Sequence, residues 1–176
     1  RDSVFKKMIG LAMAFLVAFT FTTQTTSHAN DIKGHQMVTE LTYWANLGVI
    51  RPDSKGNYNP NRAVTRGEFA SYITRALKLP ASATYSFKDL KAGNELTLEI
   101  QAAAGANILS GYDDGTFRPN EKITRQHMAG MLKNALRYAK VPLEVTPLTF
   151  KDNNKITESF KPAVATNVYY KIISGS

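Results

Sequence analysis

The chain has 176 residues and a formal net charge of +8, with 43% hydrophobic residues, 20% charged residues and no cysteine. These values fit one ordinary domain or a few small repeats with enough apolar material for a core, and the lack of cysteine excludes stabilisation by disulfides. The positive charge favours polyanionic partners, namely nucleic acid, anionic lipid or an anionic cell-wall polymer, but it does not choose among them.

The first 29 residues have the pattern of a secretory signal peptide. Lys6 and Lys7 form a positive start, and residues 8–21 are apolar or small with one hydroxyl. These 14 residues are fewer than the roughly 20 that span a bilayer. Small residues then precede a cleavage site, so we predict an exported protein cleaved after Ala29. The alternative is a short membrane-anchor or core helix.

A segment of 38 residues occurs twice, 59 residues apart. Aligning residues 40–77 with residues 99–136 without gaps gives ten identities. Because the matches include Gly, Pro and Asn of loops, helical periodicity alone does not account for them, and the pattern indicates a duplication. A third copy is predicted from Phe150, ending before its turn and second helix. The identical positions, numbered in the first copy, are Glu40, Ala45, Gly56, Pro60, Asn61, Thr65, Arg66, Ala70, Ala76 and Leu77.

Each copy has the pattern of a helix, a glycine-containing loop and a second helix. The apolar residues Met37, Leu41 and Trp44 recur with helical spacing in the first copy. Tyr58 and Phe117 are expected to hold the loops against the core. A helix pair of this length cannot bury its apolar face alone, so the copies are predicted to share one core in an all-α fold. The first helices are predicted at residues 36–48, 95–107 and 159–171.

The second helix of each copy begins at a repeated Thr-Arg pair. Thr65, with Glu68 three residues later, has the capping-box pattern, in which the two side chains satisfy backbone N–H groups at the helix start. Thr124 keeps the cap in the second copy, but His127 replaces the acid. We therefore predict a weaker half-box there.

Arg66 and Arg125 occupy the first helical position, where acidic side chains are normally favoured. A guanidinium beside unpaired N–H groups of a helix start can bind a carboxylate or a phosphate, so this repeated placement suggests an anion pocket. The alternative is that each arginine pairs with an acid of its own loop or of a neighbouring copy, such as Asp53 or Asp113. The residues alone do not decide between these two interpretations.

Residues 111–125, GYDDGTFRPNEKITR, together with the Phe-x-Asp starts and the Ala-Leu ends, resemble the S-layer homology repeat. The resemblance covers residues 31–175. It implies three repeats in a pseudo-threefold helical spindle, which holds exported proteins on the bacterial cell wall by binding pyruvylated secondary cell-wall polysaccharide without covalent linkage. The family's ligand-binding motif, Thr-Arg-Ala-Glu, corresponds to residues 65–68 and, with Gln-His in place of Ala-Glu, to residues 124–127.

On the basis of this resemblance, we expect polysaccharide contacts from both Thr-Arg starts and from the second glycine loop. The expected ligand-binding residues are Thr65, Arg66, Glu68, Thr124, Arg125, Asp113, Gly115 and Asn120. Because the third copy is truncated, grooves that need it are expected to be absent or open. The predicted divisions are a signal peptide at 1–29, repeat 1 at 30–80, repeat 2 at 85–142 and a partial repeat 3 at 148–176.

Calcium binding and enzymatic catalysis both find little support. The acidic glycine loops fail the calcium-loop pattern, because Tyr112 and two arginines fall at ligand positions. The histidines lack metal-ligand spacing, and no nucleophile motif is present. Glu40 and Glu99 are interpreted as solvated or capping residues rather than catalytic ones. We predict no enzymatic activity, no cofactor and no metal.

The predicted function is therefore non-covalent anchoring of an exported protein to the cell wall or S-layer surface through an anionic, pyruvylated polysaccharide. The alternative is the N-terminal targeting segment of a cell-wall hydrolase whose catalytic domain lies outside this chain. Nucleic acid is not an expected partner because the protein is exported, and no membrane contact is expected after signal cleavage. Trp44 is predicted to be a core residue, with stacking on a sugar ring as the alternative. The sequence does not predict the oligomeric state.

Overall fold

The computed structural model describes residues 30–82, 84–170 and 172, and the predicted signal peptide lies outside these ranges. The regular elements of the described residues are all helices, and the only extended pairing among these residues is a single bridge between Thr65 and Lys122. This confirms the predicted all-α class, while the pseudo-threefold arrangement stays a prediction. The helices are α1 (Val38–Asn46), α2 (Arg66–Leu77), α3 (Glu95–Gly105), α4 (Arg125–Tyr138) and α5 (Lys161–Tyr169). Short 3-10 helices occupy Asn30–Ile32, Asn153–Lys155 and Glu158–Phe160.

The second helices begin where the Thr-Arg pairs predict. The Thr65 hydroxyl accepts from the Glu68 N–H at 3.2 Å, and the Glu68 carboxylate accepts from the Thr65 N–H at 2.9 Å, which confirms the capping box. At α4, the Thr124 hydroxyl accepts from the His127 N–H at 3.2 Å. The histidine ring contacts α2 instead of returning to the cap, so only half of the box forms there.

An aspartate at the start of each of the first two copies fixes the loop between that copy's helices. The Asp89 carboxylate accepts from the backbone N–H groups of Phe117 and Arg118 at 2.8 and 2.7 Å. Asp31 makes the same two bonds to residues 58–59, at 3.2 and 2.7 Å. Phe117 is fully buried beside the Asp89 bonds, as predicted, whereas its counterpart in the first copy is half-buried.

Each second helix packs against the first helix of the following copy, α2 against α3 and α4 against α5. The main core lies between α2, α3 and α4, and a smaller cluster joins α4 to α5. Small side chains on α3 allow a close approach of the helices, since Ala102, Ala103 and Ala104 are buried. The main-core residues are Ala70, Ile73, Leu79, Ile100, Ala102, Ala103, Ala104, Ile108, Leu109, Phe117, Met131 and Ala135.

Helix α1 does not share in this burial. None of its residues is buried, and the predicted stripe is open at its flanks, with Met37 48% exposed and Leu47 57% exposed. Trp44 is half-buried and stacks edge-on with Tyr43 at a ring separation of 5.2 Å. The prediction that the α1 stripe is buried in the core is therefore wrong for the described residues, since α3 and α5 each pack closely against a second helix and α1 has no comparably close packing.

An ion pair crosses the boundary between the first two copies. Arg75 of α2 donates from Nε and Nη2 to the Glu99 carboxylate at 2.6 and 3.0 Å, and from Nη1 to the Val49 carbonyl at 3.1 Å. In the next copy Asn134 replaces this arginine and keeps only the last bond, to the Ile108 carbonyl at 3.0 Å. The interpretation of Glu99 as a solvated or capping residue is therefore wrong.

Candidate functional site

A cleft of about 220 Å³ lies where the first two copies meet, and the segment predicted as a third copy also contributes to its wall. Arg66 comes from the start of α2, and Tyr112 comes from the glycine loop of the second copy. His127 comes from the first turn of α4, and Phe160 closes the wall from the third copy. A positively charged side chain and hydrogen-bonding groups thus line an otherwise aromatic and apolar cavity.

Arg66 is held inside the protein by the second copy. Only 4% of the residue is exposed, and its Nε donates to the Phe117 carbonyl at 3.0 Å. The guanidinium carbon lies 4.8 Å from the ring centroids of both Tyr112 and Phe117, at a distance suited to cation–π attraction. The side chain is therefore rigid, with its planar group fixed at the cleft wall.

No carboxylate of the described residues forms an ion pair with Arg66. Asp53 accepts from N–H groups of its own loop, and Asp113 is exposed. For Arg66, the alternative of pairing with either acid is therefore wrong. Burial lowers the pKa of the Arg66 guanidinium, with a nearby tyrosine opposing that shift, yet an arginine of this kind stays protonated at neutral pH. The cleft therefore contains a largely desolvated cation that forms no ion pair with a carboxylate of the described residues.

The backbone N–H groups at the start of α2 are already paired. Arg66 N–H donates to the Glu121 carbonyl at 2.8 Å, and Gly67 N–H donates to the Pro119 carbonyl at 2.9 Å. The third N–H is capped by Thr65. The prediction that free helix-start amides join the guanidinium is therefore wrong for α2, because the second copy's loop fills that position. An anion in this cleft would be bound by side chains.

His127 lies against the guanidinium. Its Nδ1 is 3.3 Å from Arg66 Nη1. Its ring lies edge-on to Tyr112 and tilted against Phe160, with centroid separations of 6.4 and 5.2 Å. Burial lowers the pKa of His127 most strongly, and the Arg66 charge lowers it further. In the neutral ring, Nδ1 accepts from the guanidinium and the other nitrogen carries the proton.

Thr65 and Glu68 form the α2 cap and do not line this cleft. The Glu68 carboxylate also accepts from both Nη atoms of Arg62, at 2.5 and 3.2 Å. Burial alone would raise the pKa of Glu68, but the bonds from Arg62 and the Thr65 N–H outweigh it, and the pKa lies below its usual value. These two predicted site residues thus act on Arg66 indirectly, because they fix the start of the helix that carries it.

Thr124 and Arg125 are exposed at the start of α4, and neither lines this cleft. In the second glycine loop, Asp113 and Asn120 are also exposed. Gly115 has a left-handed φ of +82°, which favours glycine, and its carbonyl accepts from a backbone N–H of the preceding segment at 3.0 Å. Of the eight predicted site residues, the structure therefore places only Arg66 in the cleft wall.

Asp114, rather than its neighbour Asp113, organises the second glycine loop. Its carboxylate accepts from the Thr116 hydroxyl at 2.6 Å, from the Thr116 N–H at 2.9 Å and from Arg118 at 3.0 Å. These bonds, led by the Thr116 hydroxyl, lower the pKa of Asp114 to about 2. Arg118 in turn lies 3.9 Å above the Tyr112 ring, so this network supports one wall of the cleft.

The sequence interpretation did not include Tyr112, His127 and Phe160 among the binding residues. His127 had a usable signal, because it departs from the acid at the fourth position of the Thr-Arg motif. Tyr112 and Phe160 lie in different copies from Arg66, and their approach to it depends on the packing between copies.

Comparison with known proteins identifies the repeated unit. Residues 30–70 and 86–129 match the family model of the S-layer homology domain. An endoglucanase of Bacillus sp. (strain KSM-635) is 36% identical over 131 residues, which cover 73% of this chain and 14% of that protein. An amylopullulanase of Thermoanaerobacterium thermosulfurigenes is 32% identical over 152 residues, covering 83% of this chain and 8% of that protein. The S-layer protein sap of Bacillus anthracis is 33% identical over 121 residues, covering 67% of this chain and 14% of that protein.

The chain thus corresponds to a small part of these long relatives. The S-layer homology domain is a binding and anchoring domain that attaches secreted proteins to cell-wall polysaccharide, and it is not a catalytic domain. No helix in the described part of the chain combines the length and the apolarity needed to cross a bilayer. With both helix-loop-helix units matched, the chain belongs to the S-layer homology domain family of secreted, cell-wall-attached proteins.

Proposed function

We propose that this chain anchors an exported protein to the cell wall by binding an anionic, pyruvylated secondary cell-wall polysaccharide in the cleft beside Arg66. The observation that carries the proposal is Arg66 itself, a residue that is 4% exposed and has no carboxylate partner among the described residues. A buried cation of this kind is costly unless a ligand neutralises it. A sugar-linked carboxylate supplies the matching charge.

The geometry favours a carboxylate held by side chains. Nε of Arg66 is occupied by the Phe117 carbonyl, Nη1 contacts His127, and Nη2 donates to none of the described residues. Charge-assisted bonds from a guanidinium to a carboxylate are about twice as strong as neutral ones. The aromatic surfaces of Tyr112 and Phe160 in the same cleft suit the apolar face of a sugar ring.

The other predicted residues have supporting roles in this proposal. Thr65 and Glu68 hold the start of α2, and Thr124 holds the start of α4. The exposed Arg125, Asp113 and Asn120, with the turn at Gly115, are proposed to contact neighbouring sugars of a longer polymer. These residues extend the site beyond the cleft.

The direct test is co-sedimentation of the full chain with purified wall polymer. We expect the chain to sediment with the pyruvylated polymer. We expect this binding to be lost after the pyruvyl groups are removed chemically. Equal sedimentation with both polymers would refute carboxylate recognition while leaving wall binding intact. Binding to DNA at physiological salt would instead indicate a general polyanion-binding surface.

A second proposal concerns the role of the chain in a longer protein. Relatives named as an endoglucanase and an amylopullulanase align with this chain over 14% and 8% of their lengths. This supports a wall-targeting segment of a hydrolase, with this segment itself non-catalytic. An antibody raised against residues 30–170 tests the idea, because the wall-bound native protein should then migrate far above 19.5 kDa, the mass of this chain, and the extract should hydrolyse polysaccharide.

A further inference from the structure

We propose that His127 is a second ligand group in the cleft, which donates from a protonated ring to the same anion that Arg66 binds, so that binding takes up a proton. This inference rests on the proposed function and adds a residue and a proton to it. The first copy has an acid, Glu68, at the matching position, and here a titratable base stands in its place.

The contact between the two side chains carries the inference. Arg66 Nη1 and His127 Nδ1 are 3.3 Å apart, both line the cleft, and the guanidinium is fixed by the Phe117 carbonyl. Without a ligand, the ring accepts from the guanidinium and stays neutral, because a second positive charge at this distance is repelled. An anion bound to both groups removes the repulsion and allows the ring to take up a proton and become a donor.

The other charged groups around His127 do not offset the effect of Arg66, so protonation of the ring depends on the ligand. Tyr112 and Glu121 act on it from the preceding loop, and Glu121 is the acid of these two. Glu121 raises the pKa of His127, but burial and Arg66 outweigh it and the pKa lies below its ordinary value. Arg125 lies on the same helix turn, and in the third copy Glu158 and Lys161 pair with each other beside Phe160. Among the described residues, no carboxylate bonds to the His127 ring.

The sign of the effect follows from these contacts. A group whose pKa is depressed in the free protein and raised in the complex makes binding stronger as the pH falls. We expect the affinity for pyruvylated wall polymer to be about three- to tenfold higher at pH 5.5 than at pH 7.5, since a histidine titrates in this range.

The test is isothermal titration of the full chain with pyruvylated wall polymer, in two buffers of different ionisation enthalpy and across that pH range. Wild type should take up a fraction of a proton per site. His127→Gln, which keeps an acceptor for Arg66 but does not titrate, should bind without proton uptake and with little pH dependence. His35→Gln is the matched control, because His35 bonds Asn61 away from the cleft, and it should behave as wild type.

Several results would overturn the inference. Wild-type binding without proton uptake, or His127→Gln binding with the wild-type pH dependence, would overturn it and leave the proposed function standing. Proton uptake that persists with depyruvylated polymer would mean that another anion, such as a phosphate, drives the protonation. This result would overturn the pairing of His127 with the pyruvyl carboxylate. Failure of the polymer to bind at every pH would overturn both the inference and the proposed function.

Discussion

Arg75 of α2 and Glu99 of α3 form a two-bond ion pair across the boundary between the first two copies, with side-chain exposures of 18% and 12%. A pair this sheltered is costly to break, because removal of one partner leaves the other charge poorly solvated. We expect Arg75→Ala to lower the free energy of unfolding by about 2 kcal/mol, including the lost bond to the Val49 carbonyl. Urea denaturation measures the change.

Arg51 supplies a matched control for that measurement. Its pair with Glu95 has a comparable distance of 2.6 Å, but the two side chains are 48% and 66% exposed. Exposed pairs contribute about 0–1 kcal/mol, so Arg51→Ala should change the free energy of unfolding by less than about 0.5 kcal/mol. Equal losses in the two variants would show that shelter from solvent does not make the Arg75–Glu99 pair stronger than an exposed pair.

The aspartate that begins the second copy should be a second stability determinant. Asp89 accepts from the N–H groups of Phe117 and Arg118, and Phe117 is the fully buried ring beside Arg66. Asp89→Ala leaves both N–H groups without this acceptor and should cost about 2 kcal/mol of unfolding free energy.

Asp152 occupies the corresponding place in the third copy and is the control for Asp89. Its side chain makes no cap bond to the adjacent 3-10 helix. Asp152→Ala should therefore leave the unfolding midpoint in urea almost unchanged. A comparable loss in the two variants would mean that the aspartate acts through general charge rather than through the loop bonds.

The local helical signals were sufficient to predict much of the fold. Thr65 and Thr124 mark the starts of α2 and α4 because capping depends on residues within one turn. The loop glycine at position 115 likewise adopts the left-handed conformation that its turn requires. These features depend on chemistry within a few residues, which a sequence displays directly.

The contacts between copies could not be predicted in the same way. The sequence offers Arg66, Arg75 and Arg125 as similar helical arginines, yet one is buried in the cleft, one is locked to Glu99 and one is exposed. The carbonyls of Pro119 and Glu121 that occupy the α2 amides come from the next copy, more than 50 residues away. Such pairings follow from how the copies pack, and repeat periodicity does not specify them.

The pH dependence of the second glycine loop follows from Asp114. Its pKa is lowered to about 2 from a usual value of 3.8, chiefly by the Thr116 hydroxyl and N–H. A carboxyl whose pKa is depressed by folding stabilises the fold at pH values above its pKa in the unfolded chain. This contribution is lost as the pH falls from about 4 through about 2. Asp114→Asn should therefore lower Tm at pH 6, and its difference from wild type should shrink as the pH falls through about 2.

Asp113 is the control for this measurement, since it is adjacent and exposed and makes no described bond to the loop. Thermal melts of Asp113→Asn should follow wild type at every pH. A wild-type melting profile for Asp114→Asn would indicate that the carboxylate charge contributes nothing to the loop.

The most direct test of the account is the affinity of Arg66→Gln for pyruvylated wall polymer. Glutamine retains a donor for the Phe117 carbonyl but loses the charge, so binding should weaken at least about tenfold. Arg51→Gln, a change to an exposed arginine outside the cleft, should bind within about twofold of wild type. Circular dichroism establishes that each variant is folded, and Arg66→Met, which also removes the charge, replaces Arg66→Gln if the latter is not. Wild-type affinity in the folded Arg66 variant would contradict the assignment of Arg66 as the anion receptor.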